Sequence, residues 1–183
     1  MNYKRWIFIA VLLFGIGLTL GLATPTSIAG FISEDINAAL EEMSSIVVPF
    51  SALTAIYIFA KNTSALLLSF AFSPILCLMP IIALIINGWV IAFVSNAVIQ
   101  EESLSFLLAG LLPHGIFELP AFIIGEAAAL SFGAMVILAL FKRIDGSLLL
   151  PRLKQNLRYL MIALALLLPA AIIETYVTLL LLI

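Results

Sequence analysis

Charged residues are scarce in this sequence, and their scarcity limits the class of protein more than any motif does. They make up 10% of the 183 residues, whereas soluble domains contain roughly 25%. Hydrophobic residues make up 64%, and the mean hydropathy is +1.29. This composition excludes an ordinary soluble domain and predicts an integral membrane protein. The length allows a single transmembrane domain over residues 1–183.

Cysteine, histidine and clustered basic residues are also nearly missing. Because Cys77 is the one cysteine, the chain can form neither an intrachain disulfide nor a cysteine zinc cluster. The net charge of −2 and the lack of a basic patch exclude nucleic acid as a partner. The single histidine, His114, rules out a metal site with two histidines from one chain. We therefore expect no cofactor, although a bound metal ion stays open.

Long hydrophobic runs, by contrast, fill most of the chain. The first, Trp6–Leu22, follows two basic residues and has 17 residues, which is longer than the roughly 7–15 residues of a signal-peptide core. It therefore predicts a retained transmembrane helix. The segment 33–45 has acidic residues opposite an apolar face, which predicts an amphipathic helix at the membrane surface. The other predicted spanning segments are 45–60, which ends at Lys61-Asn62, the long tracts 64–99 and 104–141, and 159–182.

The distribution of charge predicts the topology, since cytoplasmic loops collect lysine and arginine. We suppose that the N-terminus is inside and that each long tract crosses once. All eight basic residues then lie inside. Six acidic residues lie outside, namely Glu34, Asp35, Glu41, Glu42, Glu101 and Glu102. The chain is thus predicted to be an all-α polytopic membrane protein with five net crossings, N-terminus inside and C-terminus outside.

Both long tracts are longer than one crossing requires. Each has at least 36 residues, but one crossing uses about 20 at a rise of 1.5 Å per residue. Two prolines interrupt each tract, and proline breaks or kinks a helix. We therefore predict Pro-broken or re-entrant helices in the tracts 64–99 and 104–141.

Ionisable side chains inside the hydrophobic segments are the strongest functional signal, because each costs about 2.5 kcal/mol or more at membrane depth. His114 and Glu118 stand four positions apart, so a helix places them on one face. Glu126 follows in the same tract, and Glu174 lies in the last span. Asn87 also lies in a hydrophobic run, and we expect its amide to pair with Glu118.

These five residues are predicted to form a buried polar centre, whose role stays open between three alternatives. A structural network would lock the helices together. A proton or ion relay would use the near-neutral titration of histidine. A metal site of His114, Glu118 and Glu174 would offer one nitrogen and several oxygens, as an intramembrane hydrolase would need. The single histidine and the missing G-x-S-x-G motif favour a protein without enzymatic activity.

Small residues in the spans predict close packing of helices. Gly17 and Gly21 form a G-x-x-x-G pattern in the first span, which is typical of a dimer face. Gly125, Ala129 and Gly133 repeat at a spacing of four in the second long tract. Both patterns predict positions where helix backbones approach each other.

The polar positions resemble those of a known family of membrane proteins. The string from Leu112 to Ala121, the earlier Asn87-Gly88 and the later motif Ile173-Glu174-x-Tyr176-Val177-Thr178 are similar to the stage II sporulation protein M family. The resemblance covers most of the chain after about residue 30. Members commonly have an Asn-Asn pair where this chain has Lys61-Asn62.

The resemblance implies a small multi-pass protein of the cytoplasmic (inner) membrane of a bacterium or archaeon. The sporulation member is regarded as a scaffold that gathers cell-wall hydrolases, and the family is compared with membrane subunits of ABC-2-type exporters. The chain itself lacks a G-x-x-x-x-G-K motif, so an ATPase would have to be another chain.

We therefore predict a membrane scaffold or a permease-like module that works with partner proteins. The alternative is a small transporter or channel with a His/Glu relay, and a metal-dependent hydrolase is the third candidate. Membrane lipid and other membrane or envelope proteins are the predicted partners, with a homo-oligomer left open.

Overall fold

The computed structural model describes residues 3–25, 48–143 and 145–182, and every regular element in these ranges is helical. Five helical segments are long and apolar enough to cross a membrane. The predicted amphipathic helix near 33–45 lies outside the described residues. The elements are α1 Tyr3–Leu22, α2 Ala52–Phe72, α3 Leu78–Glu101, α4 Leu104–Leu140, a 3-10 turn Gly146–Leu148, α5 Leu149–Ile173, a π-helical turn Glu174–Thr178 and α6 Leu179–Leu182.

The prediction of an all-α protein with five membrane-spanning segments is confirmed, but the second span lies elsewhere than expected. Helix α2 begins after Ser51, whose hydroxyl accepts a hydrogen bond from the Leu53 N–H at 3.2 Å. It then continues through Lys61 and Asn62 to Phe72. The expectation that these two polar residues end a span at 45–60 is therefore wrong. They lie near the midpoint of a helix, which matters for the functional site.

The tract 64–99 contains the expected interruption. Residues Ser73–Cys77 form a turn between α2 and α3, with Pro74 inside it. Leu76 and Cys77 both have positive φ angles, of 52° and 55°. This left-handed conformation is disfavoured for L-residues and reverses the chain direction within a few residues. The tract thus supplies the end of one span and the whole of the next.

The tract 104–141 forms one continuous helix, so the predicted break is wrong there. Helix α4 runs without interruption through Pro113 and Pro120 for 37 residues, and Ser103 caps its start by accepting the Phe106 N–H at 3.1 Å. Each proline removes one N–H donor. A full break would leave several more backbone groups without partners, which is costly in a membrane. At 1.5 Å per residue α4 is about 55 Å long, and the surplus length extends one helix.

Helix α4 is the centre of the bundle, since its second half is buried by all the other long helices. The run from Ala127 to Leu130 is buried. One core cluster joins this part of α4 to α2 and α5, and another joins it to α1 and α3. On the side of α4 that faces α2 and α5, Leu66 of α2 and Ala163 of α5 both contact Gly125. The position of α4 between the two clusters decides which polar residues meet.

Helices α1 and α3 pack with their backbones in close contact. A Cβ atom built on Gly17 would lie 2.2 Å from the Ile85 carbonyl oxygen, and one on Gly21 would lie 2.4 Å from the Trp89 carbonyl oxygen. From the opposite side, a Cβ on Gly88 would lie 2.3 Å from the Phe14 carbonyl oxygen. The G-x-x-x-G pattern of α1 therefore packs against another helix of the same chain. This surface is consequently not free for a dimer.

The pairs of residues in contact also show the relative helix directions. Gly17 and Gly21 meet successively later residues of α3, so α1 and α3 are parallel. Helices α2 and α4 are parallel as well, because Leu66 meets Gly125 and Ser73 meets Gly133. These directions are compatible with five successive crossings. The predicted inside position of the N-terminus stays a prediction.

Candidate functional site

Three ionisable side chains come together between α4 and the π-helical turn that follows α5. His114 and Glu118 lie one turn apart on α4, with 3.7 Å between His114 Nε2 and a Glu118 carboxylate oxygen. Glu174 begins the π-helical turn. One ligand atom from each of the three residues lies within 4.8 Å of the others. We call these three residues the polar centre.

The antiparallel register of α4 and the π-helical turn produces this meeting. Glu174 and Thr178 are four positions apart, as are His114 and Glu118. Glu174 therefore reaches Glu118 while the Thr178 hydroxyl lies 3.2 Å from His114 Nδ1. Short π-helical turns inside α-helices frequently occur at functional sites. Here the turn carries Glu174 and Thr178, which approach Glu118 and His114.

Asn62 belongs to the site, although the sequence did not predict it there. Its side-chain amide donates a hydrogen bond of 3.0 Å to Glu118 Oε1. The adjacent Lys61 lies near enough to act electrostatically on the carboxyls of Glu118 and Glu174. If the span had been predicted with the bounds of α2, Lys61 and Asn62 would have stood out as polar residues inside the membrane, at the depth of the other polar residues.

Asn87 does not join the centre, so the expectation that it pairs with Glu118 is wrong. Its side chain is on the exposed face of α3, and its amide donates to the Ala83 carbonyl oxygen at 2.8 Å. An asparagine can satisfy its donor on the preceding turn of its own helix. The partner expected from Asn87 is instead supplied by Asn62.

Glu126 also lies apart from the polar centre, in the packed part of the bundle. Its side chain is 1% exposed, and the Ser69 hydroxyl donates to it at 2.5 Å. The neighbouring Gly125 allows Leu66 to approach, with its methyl carbons 2.9–3.0 Å from where a Cβ would be. Glu126 and Ser69 thus link α4 to α2 in an enclosed contact.

The polar centre, in contrast, is not sealed. The side chain of Glu118 is 32% exposed and that of His114 13%, and Lys61 lies on the exposed face of α2. Charged groups at membrane depth normally face a water-filled cavity or pair with other protein groups. We therefore expect the exposed part of the centre to face water or protein groups rather than lipid.

The site chemistry is that of hard, oxygen-rich ligands with one imidazole. Two carboxylates and a histidine can bind protons, and ligand atoms 4.8 Å or less apart can also share one metal ion. The Thr178 hydroxyl beside His114 Nδ1 would orient the imidazole, as outer partners of metal-binding histidines do. His114, Glu118 and Glu174 are thus the residues that would hold a cation.

These features define a class, a polytopic helical membrane protein with an accessible ionisable centre, and comparison with known proteins gives the family. Residues 10–179 match the profile described as "Stage II sporulation protein M". The chain is 30% identical over 163 residues to an uncharacterized protein of Methanocaldococcus jannaschii, covering 88% of this chain and 92% of that one. No solved structure matches significantly. The chain belongs to the stage II sporulation protein M family.

Proposed function

We propose that this protein is a permease-like membrane module in which the polar centre binds a proton or another cation. The observation that carries the proposal is the accessibility of Glu118, whose side chain is 32% exposed while it contacts His114 and Asn62. A polar network that only holds the helices together would gain nothing from the exposure of Glu118, since an unshielded charge at membrane depth is costly.

Glu126 provides the comparison within the same helix. Its carboxyl is enclosed, is bonded to Ser69 and joins two helices. This is the arrangement that a scaffold needs for stability. Glu118 has a hydrogen-bond partner too, yet it lies in a group of ionisable residues at the surface of the chain. The difference between the two acids favours a binding role for Glu118.

In the proposed mechanism, a proton or cation binds among His114, Glu118 and Glu174. Histidine exchanges protons near neutral pH, and two neighbouring carboxylates repel each other unless a positive charge is shared between them. Asn62 holds one oxygen of Glu118, which leaves the other oxygen on the side of His114. The protein would act in the cytoplasmic membrane of a bacterium or archaeon.

The experiment reconstitutes the purified protein in liposomes and follows the internal pH after an imposed pH step. We expect proton flux, and we expect Glu118→Gln and Glu174→Gln to reduce it at least about tenfold, equivalent to about 1.4 kcal/mol. Glu126→Gln is the matched control, because it makes the same chemical change outside the polar centre. It should keep the flux.

The same preparations test for a metal cation. Equilibrium dialysis with zinc or manganese should show about one ion per chain if the cation is a metal, and His114→Ala should abolish that binding. If the wild-type protein neither moves protons nor binds a cation, the proposal is refuted. Flux or binding that survives Glu118→Gln and Glu174→Gln in folded protein would refute it equally, and the scaffold function would then explain the chain better.

A further inference from the structure

The helical hairpin formed by the end of α4 and the start of α5 projects beyond α2 and α3. The turn between α2 and α3 lies beside Gly133, where an added Cβ would overlap the Ser73 carbonyl oxygen. Helix α4 continues past Gly133 to Leu140, which adds about 10 Å at 1.5 Å per residue. The chain then returns through the 3-10 turn Gly146–Leu148 into α5. The hairpin therefore reaches further on its side of the membrane than that turn does.

Basic side chains gather on this hairpin. Four of them are exposed, namely Lys142, Arg143, Lys154 and Arg158. Among the described residues, none of the four forms an ion pair. Asp145, the one acid within 141–158, instead accepts a hydrogen bond of 2.9 Å from the Ser147 N–H. The hairpin thus carries positive charge that the described part of the chain does not neutralise.

Large apolar side chains are exposed on the same hairpin. Leu140 is 74% exposed and Phe141 71%, and Leu148 and Leu150 are exposed as well. A group of exposed apolar side chains at one end of a bundle marks an interaction with protein or membrane. We call the four exposed basic residues and these four apolar ones the basic end.

The exposed side of α5 indicates where the basic end lies relative to the bilayer. Lys154 and Arg158 are exposed, whereas the exposed residues within 161–168 are all apolar. Basic residues lie at the border of a spanning segment and apolar ones face the acyl chains. The hydrocarbon therefore begins near Arg158, and the lipid headgroups are the nearest surface to the basic end.

We propose that the basic end binds the headgroups of anionic phospholipids, with its lysines and arginines at the phosphates and its apolar side chains at the acyl boundary. Segments that lie in the membrane interface combine basic and apolar residues in this way. Charge complementarity favours lipid as the occupant, because an anionic leaflet attracts basic segments that lie directly beside it. The inference concerns a different part of the chain from the polar centre and does not depend on the proposed function.

Selective quenching of a fluorescent probe tests this binding. Ser147→Cys, combined with Cys77→Ser, is labelled with a fluorophore, and the purified protein is placed in phosphatidylcholine nanodiscs. A small and equal fraction of spin-labelled phosphatidylglycerol or spin-labelled phosphatidylcholine is then included. The association constants taken from the quenching should favour phosphatidylglycerol about fivefold or more, since a single lysine or arginine near anionic lipid contributes about that factor.

A probe at Ser105→Cys is the matched control, because Ser105 is exposed at the opposite end of α4, near the exposed Glu101 and Glu102. Both ends meet the same lipid mixture in a nanodisc, yet the preference for phosphatidylglycerol should be absent there. At the basic end, Lys142→Gln with Arg143→Gln should lower the preference at least about twofold. Lys142→Arg with Arg143→Lys keeps both charges and should preserve it.

Salt provides a test that needs no substitution of a basic residue. Raising NaCl from about 0.05 M to about 0.5 M should weaken the preference, because salt screens exposed charges. Equal quenching by the two lipids at the basic end would overturn the inference. So would an equal preference at the Ser105 probe, or a preference that neither the glutamine variant nor salt lowers. If an acidic protein copurifies and phosphatidylglycerol is not preferred, the basic end binds a protein and the inference is wrong.

Discussion

The contact between α1 and α3 permits a sharp test of the fold through Gly17→Ala. The new Cβ would lie 2.2 Å from the Ile85 carbonyl oxygen and 3.0 Å from the Trp89 nitrogen. These are backbone atoms, so no side-chain rotation can relieve the overlap. Carbon–oxygen contacts are normally about 3.3–3.6 Å even when attractive. The two helices must therefore separate by about 1 Å.

Gly15→Ala is the matched control in the same helix, because within the described part of the chain no atom outside its own stretch of helix lies within 4 Å of its Cβ position. Both variants gain the same helix preference of alanine over glycine, about 0.5–1 kcal/mol, so their difference isolates the packing. Overpacking typically costs about 1–3 kcal/mol. For a chain of this size, 1 kcal/mol corresponds to a change in Tm of roughly 2–4 °C. Gly17→Ala should thus melt roughly 2–12 °C below Gly15→Ala.

The sole cysteine makes the measurement straightforward. Cys77 is 8% exposed, so a thiol-reactive fluorogenic dye should label it only on unfolding. The melting temperature in detergent is read from the labelling curve. Equal melting temperatures for the two variants would show that α1 and α3 do not pack as described, and Gly88→Ala, which approaches from the other helix, should behave as Gly17→Ala does.

Three further substitutions test the polar contacts with the same dye assay. Asn62→Leu should destabilise the fold by about 1.5–3 kcal/mol, since it removes the hydrogen bond that the Asn62 amide donates to the Glu118 carboxylate, a bond to a charged group, whereas Asn87→Leu on the exposed face of α3 should change stability little. Glu126→Ala should cost about 2–5 kcal/mol because it leaves a cavity in the packed bundle, and a variant as stable as wild type would contradict the burial of Glu126. Thr178→Val should cost about 0.5–1.5 kcal/mol and alter the tautomer of His114, the single histidine, as read from its imidazole nitrogen NMR shifts. Unchanged shifts would exclude the contact.

Composition and periodicity were enough to predict the helical membrane fold, because the bilayer allows few alternatives to long apolar helices. The helix boundaries were harder to predict. Lys61 and Asn62 resemble the polar end of a span, yet α2 contains them because other chain segments supply their partners. Hydropathy along one segment carries no information about such partners, which come from distant parts of the chain.

Proline positions were also insufficient to predict where a helix ends, and here the error was to predict a break where the helix continues. Pro113 and Pro120 predicted a break in α4, but the helix continues through both. The reversal at Ser73–Cys77 does contain Pro74, one of the predicted interruptions, but its left-handed residues Leu76 and Cys77 are not glycines, so no simple turn pattern identifies where the chain turns. Proline marks where one backbone hydrogen bond is missing. Whether the helix then breaks depends on the partners that surround it.

The arrangement of the polar centre could be predicted from the sequence only in part. The spacing of His114 and Glu118 predicted that they share a helix face, and Glu174 joins them. Glu126 is on the same helix as Glu118 and has the same carboxyl group, but it lies in the enclosed part of the bundle beside Ser69. Residue type is therefore insufficient to separate a binding acid from a structural one. Exposure separates them, because Glu118 is 32% exposed and Glu126 is 1% exposed, and the proposed exchange of a proton or cation requires a carboxyl that is not enclosed.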